Sequence, residues 1–361
     1  MQKEKIRIKD IAERSGVSVG TVDRVLHGRS GVSEASRLKV EEILKELDYT
    51  PNMYASALAS NKKYRFTCLL PLHLDGDYWV DVVKGMRQAV KSYTDFNLTL
   101  DVYYYDQYEV GSFANQGAEL LRKGADAVIM SPTDNEETHK ITSMLEENNI
   151  PYVFIDSNPT GFHPLAFYGQ HARQSGYFAA RMFNMLIKDE SEIVIFRQIN
   201  DGKLGSNQQK FREEGFYSFL QENRKDLKIK VLNFHVKQLD SYETVLDDFF
   251  RQNPDVHCGI TFNSKSYIIG EYLLKHNRCD FKFVGYDLLR RNVACLKAGS
   301  IDFIIAQQPT AQGFNSVQCL FKSLVLKKKV KACNYMPIHL ISEDNIDFYL
   351  DTHGDDENQL D

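Results

Sequence analysis

No stretch of the 361-residue chain approaches the roughly 20 consecutive apolar residues that a membrane-spanning helix needs. The opening MQKEKIRIKD alternates charge with isoleucine and has no apolar h-region, which excludes a secretory signal and predicts a cytoplasmic chain. Cysteine is sparse. The six residues at 68, 258, 279, 295, 319 and 333 form no CxxC and no Cys/His spacing suited to a metal, so they are expected to be buried apolar residues in a reducing compartment. Enzyme signatures are also missing: there is no GxSxG elbow, no phosphate loop ending in GK[ST], no HExxH and no complete GxGxxG after a strand. GKLGSN at 202–207 is too weak a pattern for a phosphate site, and no cofactor is expected. The acidic segment after Ser342, ending GDDENQLD, has no leucine heptads that would build a coiled coil.

What remains is a globular composition, 43% hydrophobic and 26% charged, in a chain long enough for two or three domains. The net charge of −5 is unevenly spread. Residues 1–63 hold seven lysines and five arginines against nine acids, a charge of +3, which leaves −8 for the remainder. A small basic head on an acidic body predicts that the head alone meets a polyanion.

That head reads as three helices. IRIKDIAERSG puts Ile8, Ile11 and Ala12 on one helical face and stops at Gly16, a residue suited to the left-handed turn after a helix. Ser18 can cap a second helix with Val22, Val25 and Leu26 inward, and Ser33 a third with Val40, Ile43, Leu44 and Leu47 inward. Two short helices joined by a tight turn, with a longer supporting one, make a helix-turn-helix that lays its second helix in a DNA major groove. The exposed face of that helix would carry Val19, Gly20, Thr21 and Arg24, whose forked guanidinium pairs with guanine or phosphate. Gly20 is costly inside a helix, which implies close backbone approach to something. An ordinary helical hairpin with a solvated arginine is the bland alternative.

The next stretch, YTPNMYASALASNKK, has Thr50 as a cap, Pro51 at the first helical position and small residues around Leu58. A helix of about nine residues is too short to hold alone in water, so it is expected to order on a surface, with Leu58 able to wedge between base pairs. A flexible linker with one stray leucine is the other reading.

Through IKDIAERSGVSVGTVDRVLHG and YTPNMYASALA, the first 60 residues resemble the DNA-binding head and hinge of the lactose-repressor (LacI) family of bacterial transcription regulators. The resemblance implies Ser18, Val19, Gly20, Thr21, Arg24, Asn52 and Leu58 as residues facing operator DNA, and a homodimer. Asp23 stands where that family more often has serine, and Arg7 where a Ser or Thr cap is usual.

From residue 64, apolar strands alternate with amphipathic helices: RFTCLLP, LTLDVYYY, ADAVIMSP, IPYVFID, SEIVIF, LKIKVLNF, HCGITF, FKFVGYD and IDFIIAQ are strands, with helices such as 79–92 and 112–123 between them. This predicts two doubly wound parallel sheets covered by helices, an α/β core behind an all-α head. The expected boundaries are 1–49 for the head, 50–63 for the hinge, 64–163 plus 308–330 for one subdomain, 164–307 plus 331–350 for the other, and 351–361 for an acidic tail.

In such sheets the chemistry lies at the carboxyl ends of strands. Those ends hold Asp134, Asp156, Asn263, Asp287 and Gln307; Arg212 falls in the expected first turn of a helix, and Tyr78 and Trp79 follow the first strand. Carboxylates, a guanidinium, amides and aromatic rings are the set that holds a polyhydroxyl ring. Taken singly, each is as readily a cap or loop residue. SPTD, REEGF, VGYD and IAQQP resemble the pocket of the periplasmic sugar-binding proteins, which implies two subdomains joined by three crossovers, a sugar-type ligand in the cleft and a dimer, while the missing catalytic motifs speak against an enzyme. Ser264 stands where aspartate is common there. The expected function is therefore a ligand-responsive DNA-binding regulator, with a solute-binding protein or sugar-modifying enzyme as the alternative.

Overall fold

The computed structural model describes residues 6–26, 29–47, 49, 53–133, 135–187, 190–200, 203–204, 206–235, 242–278 and 280–353. The chain divides into two compact units, Met1–Lys62 and Lys63–Asp361.

The first unit contains α1 (Ile8–Ser15), α2 (Val19–Leu26), α3 (Glu34–Glu46) and α4 (Met53–Ser60). Ile11, Ala12, Val22 and Val40 are buried together, and Ile8, Val25, Leu26, Ile43, Leu44 and Leu47 pack around them, the inward set that the helical periodicity predicts. Gly16 ends α1 at φ 64°, and the Ser33 hydroxyl caps α3 by accepting from the Ser36 amide at 3.3 Å. The Arg7 side chain makes no cap. Instead the Asp10 carboxylate accepts from the Arg7 amide at 2.7 Å, so the acid three residues on ties down the start of α1. Thr50, Pro51 and Asn52 lie outside the described residues. The expected surface-ordered segment is helical from Met53 to Ser60, and none of its residues whose burial is described is buried.

The second unit is built twice on one plan. In the first sheet β1 (Tyr64–Pro71), β2 (Leu98–Tyr105), β3 (Ala127–Met130), β4 (Tyr152–Ile155), β5 (Ala166–Gly169) and a late strand, Cys333–Tyr335, lie in the order β2-β1-β3-β4-β5-late strand, all parallel. The second sheet contains β6 (Glu192–Asn200), β7 (Lys203–Leu204), β8 (Lys228–His235), β9 (Cys258–Thr261), β10 (Lys282–Tyr286), β11 (Phe303–Ala306) and a final strand, His339–Ile341. Its order, β8-β6-β9-β10-β11-final strand, repeats the first, with β7 folded back antiparallel on β6 and the final strand antiparallel to β11. The late and final strands are β12 and β13. Between the strands run α5 (Tyr78–Ser92), α6 (Ser112–Lys123), α7 (Asn135–Glu147), α8 (Ala172–Leu186), α9 (Asn207–Asn223), α10 (Tyr242–Gln252), α11 (Tyr267–Lys275), α12 (Arg290–Lys297), α13 (Pro309–Leu320) and α14 (Ile346–His353). The strands β3, β4 and β9 are buried along their whole length, as sheets covered on both faces require.

The chain passes between the sheets three times, after β5, β11 and β12. Two expected boundaries move accordingly: β5 lies beyond residue 163 and β12 beyond 330, yet both are hydrogen-bonded into the first sheet. Four-residue AFYG and three-residue CNY carry too little alternation to be read as strands, and only their pairing partners define them. The described cysteines are free, with Cys68, Cys258, Cys295 and Cys319 buried, and Cys279 lies outside the described residues.

Each subdomain closes on a helix pair in backbone contact. A Cβ at Gly85 of α5 would sit 1.9 Å from the Thr310 carbonyl oxygen of α13, and one at Gly176 of α8 would sit 1.8 Å from the Arg212 carbonyl oxygen of α9. Backbone cannot yield as a side-chain tip can. Gly85→Ala is expected to destabilise the core by about 1–3 kcal/mol, seen as a lower thermal midpoint; an unchanged midpoint would show that the crossing adjusts freely.

Candidate functional site

Two groups of residues stand apart from the packed interior. On the head, Ser18, Val19, Gly20 and Arg24 are exposed and Thr21 is partly so. The Ser18 hydroxyl accepts from the Thr21 amide at 3.1 Å and bonds the Thr21 hydroxyl at 2.9 Å, which fixes the start of α2. A Cβ on Gly20 would meet only the Ser18 hydroxyl, 3.8 Å away, so no contact within the head demands a glycine there. Asp23, on the same short helix, pairs with Arg29 at 3.1 Å. Leu58 is 46% exposed on α4.

The second group lies between the two sheets of the core. Asp156 follows β4 and Asp287 follows β10, equivalent strands of the repeated plan. Both have left-handed backbone, φ 66° and 67°. Each amide donates to a carbonyl on the next strand over, Asp156 to Tyr168 at 2.9 Å and Asp287 to Ile305 at 3.1 Å. A non-glycine residue in this region is strained, and the repeat of the strain at matching positions marks a constrained site. The two carboxylates thus enter the cleft from opposite subdomains by the same turn.

Arg212 lies between them in effect. It is the sixth residue of α9 rather than part of its first turn, almost wholly buried, with its guanidinium 4.1 Å from the ring centre of Tyr286. Its Nη1 donates to the Phe262 carbonyl at 2.9 Å, while Nε and Nη2 have no partner. Buried polar atoms are seldom left so. Further unpartnered buried atoms among the described residues are Oε1 of Gln208, Gln209 and Gln312 and the hydroxyls of Thr133, Thr138 and Ser157. Around Asp287 the bonding is organised: Gln307 Nε2 donates to its carboxylate at 2.8 Å, and Gln312 Nε2 and the Tyr78 hydroxyl reach Gln307 Oε1 at 3.3 and 3.5 Å.

Desolvation raises the Asp156 carboxyl to about 6, with Arg212 opposing the shift and Asp287 adding to it. Burial likewise raises Asp287, against the pull of Arg212 and the Gln307 hydrogen bond. Tyr78 stays a neutral donor, its hydroxyl pushed well up chiefly by burial. The subdomains also touch at the rim. Asn207 Nδ2 donates to the Thr133 carbonyl at 2.6 Å, Gln198 Nε2 to the Tyr108 hydroxyl at 3.1 Å and Gln208 Nε2 to Asp156, while Lys265 and Asp77 approach to 4.0 Å. The cleft is closed.

Of the residues expected here, Asp156, Arg212, Asp287, Gln307 and Tyr78 come together. Trp79 is half-buried and meets Tyr78 edge-on at 5.3 Å. Asn263 is engaged locally, donating to the Thr261 hydroxyl at 2.8 Å and accepting from the Lys265 amide at 2.8 Å. Asp134 lies outside the described residues. Sequence reasoning missed Tyr286, Gln208 and Gln312. Gln208 was findable, since it precedes Arg212 by one helical turn and must share its face. The Arg212–Tyr286 stacking joins residues 74 positions apart and left no local signal.

Comparison with known proteins separates the same two parts. The model of bacterial regulatory proteins of the lacI family matches residues 7–52, and that of a periplasmic binding protein domain matches residues 68–329. A solved structure described as a LacI transcriptional regulator from Bacteroides fragilis is 50% identical, with a TM-score of 0.78, and the match covers 80% of this chain and 100% of that one. The chain belongs to the LacI family. Catabolite control protein A of Staphylococcus epidermidis is 29% identical over 149 residues, 41% of this chain and 43% of that protein, so the match spans under half the curated relative's length. GanP, a glucose-galactose binding protein from Geobacillus stearothermophilus, is 20% identical with a TM-score of 0.67 over 79% of this chain and 99% of that one, a likeness of fold. In this LacI-family chain, among the described residues, no helix is long and apolar enough to cross a membrane.

Proposed function

We propose that this LacI-family chain is a cytoplasmic, dimeric transcription regulator that binds operator DNA through its head and a sugar-like effector in its cleft. The carrying observation is the buried edge of Arg212, whose Nε and Nη2 are unpartnered, as are the amide oxygens of Gln208, one turn before it on α9, and of Gln312, which reaches Gln307. Leaving such donors buried and unused costs about 1–3 kcal/mol each, and a polyhydroxyl ring supplies the missing partners. Its contacts would be Tyr78, Trp79, Asp134, Asp156, Arg212, Asn263, Asp287 and Gln307. Because these come from both subdomains, the effector favours the closed cleft and shifts the population toward it. Ser18, Val19, Gly20, Thr21, Arg24, Asn52 and Leu58 would face the operator. The alternative of a solute binder or enzyme leaves the exposed face of α2 without a purpose.

The direct test is to select DNA from a random pool with the full-length protein, then titrate the selected duplex with and without sugars that raise its thermal midpoint. A two-fold symmetric site whose affinity changes with sugar supports the reading; indifference to sequence and to sugar would sink it. Linkage requires DNA to change sugar affinity by the same factor.

Leu58→Ala should weaken binding to the selected site while leaving the midpoint of the core and its sugar response unchanged, because Leu58 is half-exposed on a helix whose described side chains are not buried. An eight-residue helix is marginal alone in water, so bound DNA should also slow proteolysis between residues 50 and 63. Equal cleavage with and without DNA would count against a minor-groove role.

A further inference from the structure

We propose that the cleft selects an uncharged polyhydroxyl ring and rejects its phosphorylated or carboxylated counterparts. The inference rests on the reading of the cleft as the effector site and narrows it to a charge class.

Arg212 is the sole buried cation among the described residues. A guanidinium with a free Nε/Nη2 edge is the group that ordinarily grips a carboxylate or phosphate by two parallel hydrogen bonds. Here Asp156 and Asp287, on matching left-handed turns of opposite subdomains, already face it at longer range without pairing with it, so two acids stand near the edge an anion would have to reach. Counted formally, one guanidinium faces two carboxyl groups, so the described site offers an anion no surplus of positive charge. Both acids are already raised by desolvation, and Asp156 also by Asp287, so the pocket resists even the negative charge it holds.

The unpartnered atoms point the same way. The Oε1 atoms of Gln208, Gln209 and Gln312 are acceptors without donors, and Thr133 and Ser157 hydroxyls can serve either role; only the Arg212 edge is donor alone. An ionised phosphate or carboxylate brings acceptor oxygens and no hydrogen to give, so it satisfies the Arg212 edge and strands the amide oxygens. A ring hydroxyl both donates and accepts, and several hydroxyls can meet both kinds of atom. The cross-cleft bonds of Asn207 and Gln208 hold the two subdomains together beside the buried Arg212, where charge is screened less than in water.

The experiment uses the full-length protein and calorimetric titration with D-glucose, D-galactose and D-arabinose beside glucose 6-phosphate, galactose 6-phosphate, arabinose 5-phosphate, glucuronate and galacturonate. A neutral sugar should bind, with each of its anionic partners at least about tenfold weaker. Asp156→Asn removes one carboxylate at nearly constant shape and should narrow that gap; Asp287→Asn serves as the second variant if the first no longer binds the neutral sugar. A phosphate or uronate that binds as tightly as its neutral parent would overturn the inference and leave the cleft an effector site. A gap unchanged in a variant that still binds would show that shape, not charge, discriminates, and would overturn it too. Failure of every sugar, neutral and anionic, would overturn the sugar reading itself.

Discussion

Arg212→Met should weaken binding of the neutral sugar by about a hundredfold or more while operator affinity without sugar stays as it was. Methionine keeps much of the unbranched apolar stem beside Tyr286 and removes the guanidinium, so the loss reports hydrogen bonds rather than a collapsed helix. Two donors, Nε and Nη2, are unpartnered in the closed cleft, and a hydrogen bond to a charged group contributes about 1.5–3 kcal/mol. The same change removes the cation that holds Asp156 and Asp287 down, so both carboxyls should rise further and take up protons nearer neutrality. Titration calorimetry at fixed pH gives the affinity, and repeating it in buffers of different ionisation heat gives the proton uptake. The Phe262 carbonyl also loses its partner, a loss within the core that circular dichroism and the thermal midpoint would register. A variant that folds and binds the sugar with unchanged affinity would show that the effector sits elsewhere.

Operator binding should fall by about a thousandfold between roughly 50 and 200 mM salt if the two heads of a dimer together neutralise about six phosphates, because each neutralised phosphate releases condensed counterions. On this background Arg24→Ala should cost about 1–3 kcal/mol at the selected site and much less on random duplex. Arg24 is exposed on α2 beside Val19 and Gly20, so its removal does not disturb the small core of Ile11, Ala12, Val22 and Val40. Fluorescence anisotropy across a salt series, with cognate and random duplexes, separates the two terms. A flat salt dependence would count against phosphate contacts altogether, and an equal loss on both duplexes would make Arg24 a phosphate contact rather than a base reader.

Much of the organisation was legible in the chain itself. The head could be read because its signals are local: Gly16 supplies a left-handed turn, Ser18 and Ser33 supply caps, and the inward residues repeat at helical spacing. The nine strands β1–β4, β6 and β8–β11 and the doubly wound class followed from apolar runs separated by amphipathic helices. Asp156, Asp287 and Gln307 were legible as strand-end residues, because a parallel sheet presents polar side chains there, and the fold brings them together.

Other features were decided only by the tertiary structure. β5 and β12 are strands because β4 and each other accept them, and AFYG and CNY lack the apolar run that marks four-residue strands such as YVFI and FIIA. That Asp156 and Asp287 occupy matching left-handed turns is a property of two sheets folded on one plan, which residues 131 positions apart cannot signal. Asn263 has the residue type of a ligand contact, and only the fold shows that Thr261 and Lys265 already take one donor and one acceptor position of its amide. The binding potential of Arg212 arises because burial against Tyr286 leaves two of its donors with nothing to bond, and burial is fixed by what packs around a side chain rather than by its neighbours in sequence.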